Sequence, residues 1–153
     1  MLTIREATRA DVPAILALLA DDEVSRARDG AMSETADAAH WAAFEAIDAD
    51  PVNELIVAAL PDGEVVGTFQ LTFTPSLSRG GSTRMTIEAV HVRSDLRGQG
   101  IGRQMMTWAL SRGRERGCRL AQLTSDRKRL DAHRFYESLG FTASHVGMKR
   151  ALE

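Results

Sequence analysis

The sequence predicts a domain of the mixed α/β or α+β class, with a central sheet of about six to seven strands and about four helices on its faces. Three observations carry this. The 153 residues, 44% hydrophobic and 26% charged, suffice for one enclosed core and match a globular composition. The apolar period switches between strand-like alternation and helical stripes along the chain. Clusters of turn residues separate the two kinds of segment. No linker, repeat or low-complexity stretch interrupts the order, so residues 1–153 are read as a single domain.

Leu2 to Ala7 alternates as an opening strand. Asp11, or Thr8 before it, can cap a helix that carries Pro13 in its first turn and Ile15, Leu16, Leu18 and Leu19 on its apolar side. After the acidic run Asp21-Asp22-Glu23, the stretch Ser33-Glu34-Thr35-Ala36 offers the cap of a second helix running through Trp41, Phe44 and Ile47. Leu55 to Leu60 and Val65 to Phe73 form a hairpin about the turn Pro61-Asp62-Gly63-Glu64. A connection rich in Gly and Ser, Pro75 to Ser82, leads to a longer strand, Arg84 to Val92. From Gly100 the period turns helical, with Ile101, Met105, Trp108 and Ala109 on one stripe that ends near Gly113 to Gly117. Arg119 to Thr124 reads as a strand. Ala132, Phe135, Tyr136 and Leu139 make a last helical stripe closed by Gly140. Phe141 to Ser144 and Met148 to Ala151 read as final strands.

Composition removes several functions. A net charge of -2 lacks the basic excess of a nucleic-acid binder, and the arginines at 112, 114, 116 and 119 stand among acids. No apolar run approaches the roughly 18 residues of a membrane span, and Met1 to Glu6 has no signal-peptide pattern. A lone cysteine, Cys118, forms no internal disulfide, and no Cys/His spacing fits a metal. A reduced, cytoplasmic setting is the expectation.

The informative segment is Val90-His91-Val92-Arg93-Ser94-Asp95-Leu96-Arg97-Gly98-Gln99-Gly100-Ile101-Gly102-Arg103. A strand enters a glycine-dense loop that opens a helix. Glycines let backbone N–H groups converge and a ligand come close. The same groups are the orphan donors of a helix start, where the dipole favours an anion, typically a phosphate. Arg97 and Arg103 flank the loop and add charge. A dinucleotide fingerprint, G-x-G-x-x-G, fails whether counted from Gly98, which ends on Arg103, or from Gly100, which ends on Met105. A P-loop is absent. The pattern met is R-x-x-G-x-G, by Arg97, Gly100 and Gly102.

This segment resembles the cofactor motif of the GNAT superfamily of N-acetyltransferases. A second match follows: Asp131-Ala132-His133-Arg134-Phe135-Tyr136-Glu137-Ser138-Leu139-Gly140-Phe141 is similar to that superfamily's A-x-x-F-Y-E-x-x-G-F helix. Ile4-Arg5-Glu6-Ala7-Thr8 with Asp11 resembles its opening strand and helix start. The resemblance implies a mostly antiparallel sheet and transfer of an acetyl group from acetyl-CoA to a primary amine, on a small molecule or a protein, in a direct ternary complex. It also implies a homodimer and no metal. The alternative is a GNAT-like domain that binds acyl-CoA as a sensor or regulator.

The same resemblance supplies site residues. The strand before the glycine loop splays from its neighbour; the pantetheine arm lies in the gap, against the backbone of Val90, His91 and Val92. An amide near Val90 faces the thioester oxygen, a contact often worth about 3 kcal/mol. Arg97, Gly98, Gln99, Gly100, Ile101, Gly102 and Arg103 hold the pyrophosphate, and Phe135 lies beside the cofactor. Arg129 stands where members often carry a cofactor- or substrate-holding Asn; it could meet a CoA phosphate.

An amine of pKa about 10.4 is neutral in only about one part in 10^3.4 at pH 7, a penalty of roughly 4.6 kcal/mol, so a base helps. Glu88, on the strand lining the cleft, is the candidate; its other reading is a surface ion pair. Tyr136 can protonate the leaving thiolate, against a reading as a core tyrosine. His91 has a suitable reference pKa, but on a regular strand it points away from Glu88. Asp21, Asp22, Glu23 and Asp29 either attract a cationic amine or form a solvated loop. Arg127, Lys128 and Arg129 either meet the adenosine phosphates or are surface charge.

Overall fold

A computed structural model describes residues 1–22 and 35–152. Ser33, Glu34, Glu23 and Asp29 fall outside these. Five strands form one sheet in the order β1 (Thr3–Glu6), β2 (Asn53–Ala59), β3 (Val65–Pro75), β4 (Thr83–Val92), β5 (Leu120–Leu123). The first four pair antiparallel and β5 runs parallel to β4. That parallel step needs a crossover, and helix α4 (Ile101–Glu115) provides it. The other helices are α1 (Val12–Ala20), α2 (Ala38–Ala49), the single turn α3 (Ser78–Gly81) and α5 (Leu130–Ser138).

Strand alternation divides the core. Ile56, Phe69, Leu71, Phe73, Met85 and Ile87 pack against Ile101, Met105, Met106 and Ala109 of α4, with Phe135 and Tyr136 of α5 at the margin. Val57 and Leu55, on the opposite face of β2, meet Ile15 and Leu19 of α1, and Phe44 of α2 closes on Val12 and Leu16. The sheet is thus sandwiched between α4–α5 and α1–α2.

Local chemistry explains the element starts. Thr8, extended at φ −106, opens a 3₁₀ turn, Arg9–Asp11, and its N–H donates to Asp11 Oδ2 at 2.7 Å. Arg5 on β1 grips both Asp11 oxygens at 2.7 and 3.1 Å, tying the first strand to the head of α1. The second helix begins later than the sequence pattern indicates. Its cap is Asp37, whose Oδ1 accepts from the amides of Ala39 and His40 at 3.0 and 3.1 Å. A carboxylate reaching two orphan amides outcompetes the neutral Thr35-Ala36 stretch.

Two expectations are corrected. The described residues hold five strands rather than six to seven, and five helices rather than four. The extra helix is α3, inside the segment read as a Gly/Ser connection. The missing strands are Phe141 to Ser144 and Met148 to Ala151, which form no ladder. Their alternation describes an extended chain with an apolar side, but a strand also needs an edge to bond to. Val146, Met148 and Leu152 instead stand open at 84, 90 and 95% exposure.

Candidate active site

The site forms where β4 loses regularity. Its ladder with β3 pairs Gln70 with Glu88, then Thr68 with His91. The single residue Phe69 therefore stands opposite both Ala89 and Val90, which is a β-bulge. Ala89 adopts φ +52, a left-handed conformation costing a residue with a Cβ about 1–3 kcal/mol, the kind of strain that collects at working sites. The bulge also resets parity. Thr68 and Gln70 share a face, so His91 and Glu88 share it too; the expectation that His91 points away from Glu88 fails because the extra residue shifts the alternation by one.

On its other edge β4 pairs with β5 only from Arg84↔Leu120 to Ile87↔Leu123. From Glu88 to Val92 its only ladder partner among the described strands is β3.

Beyond Val92 the chain makes a 3₁₀ turn, Ser94–Leu96, and enters the glycine segment. Gly98 and Gly100 take φ +81 and +85, a region that glycine enters at no steric cost. A Cβ at either would meet no atom within 4 Å, so the turn faces open space. Gly100 is the cap residue of α4 and supplies no side chain to its orphan amides. At Gly102 a Cβ would sit 3.4 Å from Phe135 Cζ and 3.9 Å from Val92 Cγ2, so this glycine lets the Phe135 ring close on the helix start. Arg97 Nε donates to Val92 O at 3.2 Å, and Arg103 Nη2 donates to Ser138 Oγ at 3.1 Å. Both acceptors are neutral, leaving each cation uncompensated by them. Gln99 and Ile101 complete the turn.

Tyr136 lies against Phe135 (centroids 5.2 Å) and edge-on to Phe141 (5.9 Å). Burial pushes its phenol above the ordinary tyrosine value, partly offset by the Arg129 charge. The group therefore keeps its proton at neutral pH, as a proton donor must. Glu88 is exposed on the α1–α2 face.

Arg129 reaches the end of α1. Its Nη2 donates to Asp22 Oδ2, and the same carboxylate lies 3.5 Å from His91 Nδ1. The Asp22 side chain is only 5% exposed. Its neighbour Asp21 accepts from the Ser94 amide at 2.9 Å and from Ser94 Oγ at 3.1 Å. The two acids at the end of α1 are thus engaged with protein groups: they pin that end to β4, to the head of α5 and to the loop before the glycines. The D-D-E run gave only a charge signal, because its partners lie 69 to 107 residues away. Arg127 and Lys128 are exposed. Burial raises the Cys118 thiol, so it is no thiolate nucleophile. Among the described residues no group of three His, Cys, Asp or Glu could hold a metal, and no helix is long and apolar enough to cross a membrane.

A model of the acetyltransferase (GNAT) family matches residues 13–141. The chain belongs to this family. Two curated relatives are an aminoalkylphosphonate N-acetyltransferase of Salmonella typhimurium, 39% identical over 94 residues, and a glucosamine 6-phosphate N-acetyltransferase of Trypanosoma brucei brucei, 36% identical over 89. These matches cover 61 and 58% of this GNAT chain and 60 and 58% of the relatives, so the chain spans about three fifths of their length. A solved structure, described as a transcriptional regulator from Bacillus halodurans, is 49% identical with a TM-score of 0.93; the match covers 99% of this chain and 100% of that one.

Proposed function

We propose that this GNAT protein is an N-acetyltransferase that moves the acetyl group of acetyl-CoA directly to the primary amine of a small molecule. The observation that carries the reading is the pair of breaks flanking Val92: the Ala89 bulge on one side and the left-handed Gly98–Gly100 turn on the other.

The residues present fit the cosubstrate. The open turn and uncapped start of α4 suit a pyrophosphate, which Gly98, Gln99, Gly100, Ile101 and Gly102 would hold through backbone amides. Arg97 and Arg103 would supply the counter-charge. The stretch Val90, His91 and Val92, beyond the end of the β5 ladder, suits the pantetheine amides, with Phe135 near Val92. When bound, acetyl-CoA supplies an activated acyl carbon. Arg129, whose charge acts on Tyr136 and whose guanidinium donates to Asp22, would serve as a positioning residue and could also meet a CoA phosphate.

The chain's own groups then manage protons. The acceptor nitrogen attacks the acyl carbon; a C–N bond forms as the C–S bond breaks. Glu88 takes the proton that the nitrogen sheds, and Tyr136 hands its phenolic proton to the departing sulfur before recovering one from solvent. The Val90 amide, freed from the regular ladder by the bulge, would stabilise the charge developing on the carbonyl oxygen. We also propose a homodimer, supported by the exposed Val146, Met148 and Leu152, and a cytoplasmic setting.

The test is calorimetry with CoA and acetyl-CoA, followed by thiol release in the presence of amines. Absence of binding rules out the reading. The description of the 49% identical neighbour as a transcriptional regulator favours a second reading, an acyl-CoA-binding regulatory domain. Binding without thiol release from any amine would select it.

A further inference from the structure

Between α1, α2 and the sheet lies a cavity of about 160 Å³, walled by Leu16, Leu19, Phe44, Ile47, Phe69 and Ala89 among others. Ala89 is the strained residue of the bulge, so the cavity opens beside the proposed reaction centre rather than elsewhere on the fold. Gln70 also lines it, and Gln70 is the ladder partner of Glu88. Directly opposed strand residues have Cβ atoms about 5 Å apart, which sets Glu88 next to the wall residue Gln70.

The polar groups in the wall are largely occupied. Thr68 Oγ1 donates to Ile56 O at 2.9 Å. His40 Nδ1 accepts from the Asp37 amide at 3.2 Å. What the cavity offers a ligand is mainly hydrocarbon, with the Gln70 amide and the His40 ring in its wall and the Glu88 carboxylate on the strand beside Gln70. A phosphate or sugar would shed its water here without replacement bonds, and a phosphate would also face the Glu88 charge. An apolar cavity of about 150 Å³ is known to take one benzene ring.

Resting on the acetyltransferase reading, we propose that this cavity receives the body of the acceptor, and that the acceptor is an aralkyl or branched alkyl primary amine of about phenyl size. Its hydrocarbon fills the space under α1 and α2 while its nitrogen stays at the rim beside Gln70 and Glu88. Its class thus differs from the phosphorylated or phosphonate-bearing amines in the names of the curated relatives.

The test is thiol release from acetyl-CoA with propylamine, butylamine, isopentylamine, 2-phenylethylamine and 2-aminoethylphosphonate. The specificity constant kcat/KM is expected to rise about fourfold per buried methylene to a maximum near isopentylamine or 2-phenylethylamine, with the phosphonate poorest. Ala43 is an exposed wall residue on α2. Ala43→Phe should plug the mouth, lowering kcat/KM for 2-phenylethylamine at least tenfold while melting temperature and acetyl-CoA affinity hold. Ile47→Ala should move the optimum to a longer amine. A flat series, or preference for the phosphonate with Ala43→Phe neutral, overturns the acceptor assignment and leaves the acetyltransferase reading standing. No thiol release from any amine overturns both.

Discussion

Glu88 and His91, three positions apart on β4, face the same side of the sheet because Ala89 and Val90 together oppose Phe69. One inserted residue thereby brings a carboxylate and an imidazole to the face where α1 and α2 pack. It also leaves a stretch of backbone outside the regular ladder, where an acyl oxygen can be met. The catalytic roles proposed for Glu88 and Tyr136 depend on that irregularity, and each makes a measurable claim.

Tyr136→Phe should lower kcat at least tenfold without changing the fold, since the ring contacts with Phe135 and Phe141 survive loss of the hydroxyl. Because burial raises the phenol above its ordinary value near 10, no loss of rate from its ionisation should appear below about pH 10. A pH–rate profile of both proteins checks this. An unchanged kcat removes Tyr136 from the chemistry.

Gly100→Ala meets no neighbouring atom, so its penalty is conformational, about 1–2 kcal/mol for the left-handed backbone. For a chain of this size that lowers Tm by several degrees. The acetyl-CoA KM should rise by more than fivefold as the amides turn away. Retained affinity would place the cofactor elsewhere.

Asp22→Asn should destabilise the protein by about 1–3 kcal/mol, because it removes the nearly buried carboxylate to which Arg129 donates. Denaturant titration measures the loss. A double-mutant cycle with Arg129→Gln should recover a coupling of at least about 1 kcal/mol. Additive losses would mean that the pair does no joint work.

Asp11 gives a pH signature. The Arg5 hydrogen bonds hold its carboxyl below the usual value, against the opposing effect of burial. A carboxyl depressed in the folded state stabilises above its unfolded pKa of about 3.9, and that contribution fades as pH falls through the lower folded value. Asp11→Asn should therefore cost about 1–2 kcal/mol at pH 7 and flatten the acid limb of the stability curve below about pH 4. Equal slopes for both proteins would contradict the assignment.

The order of strands and helices, the hairpin at Asp62-Gly63 and the glycine turn were legible because each rests on local chemistry: alternation, φ-tolerant residues, orphan amides. The Ala89 bulge was not. Nothing in Ile87-Glu88-Ala89-Val90 marks a left-handed alanine, whose conformation is imposed by pairing with β3. Asp22 was equally opaque, since its partners come from β4 and the head of α5. The last two strands, Phe141 to Ser144 and Met148 to Ala151, were over-read: apolar spacing says nothing of whether a bonding edge is at hand.

The parting of β5 from β4 after Ile87 carries a practical consequence. Beyond Ile87 the side of β4 that carried β5 has no ladder partner among the described strands, and an unextended sheet edge is a place where a stray chain can latch on. On the proposed reading, a slender amide-bearing molecule lying there would act as a removable sixth strand. Stocks kept free of it should clump on warming and exchange those amides quickly; stocks supplied with it should do neither.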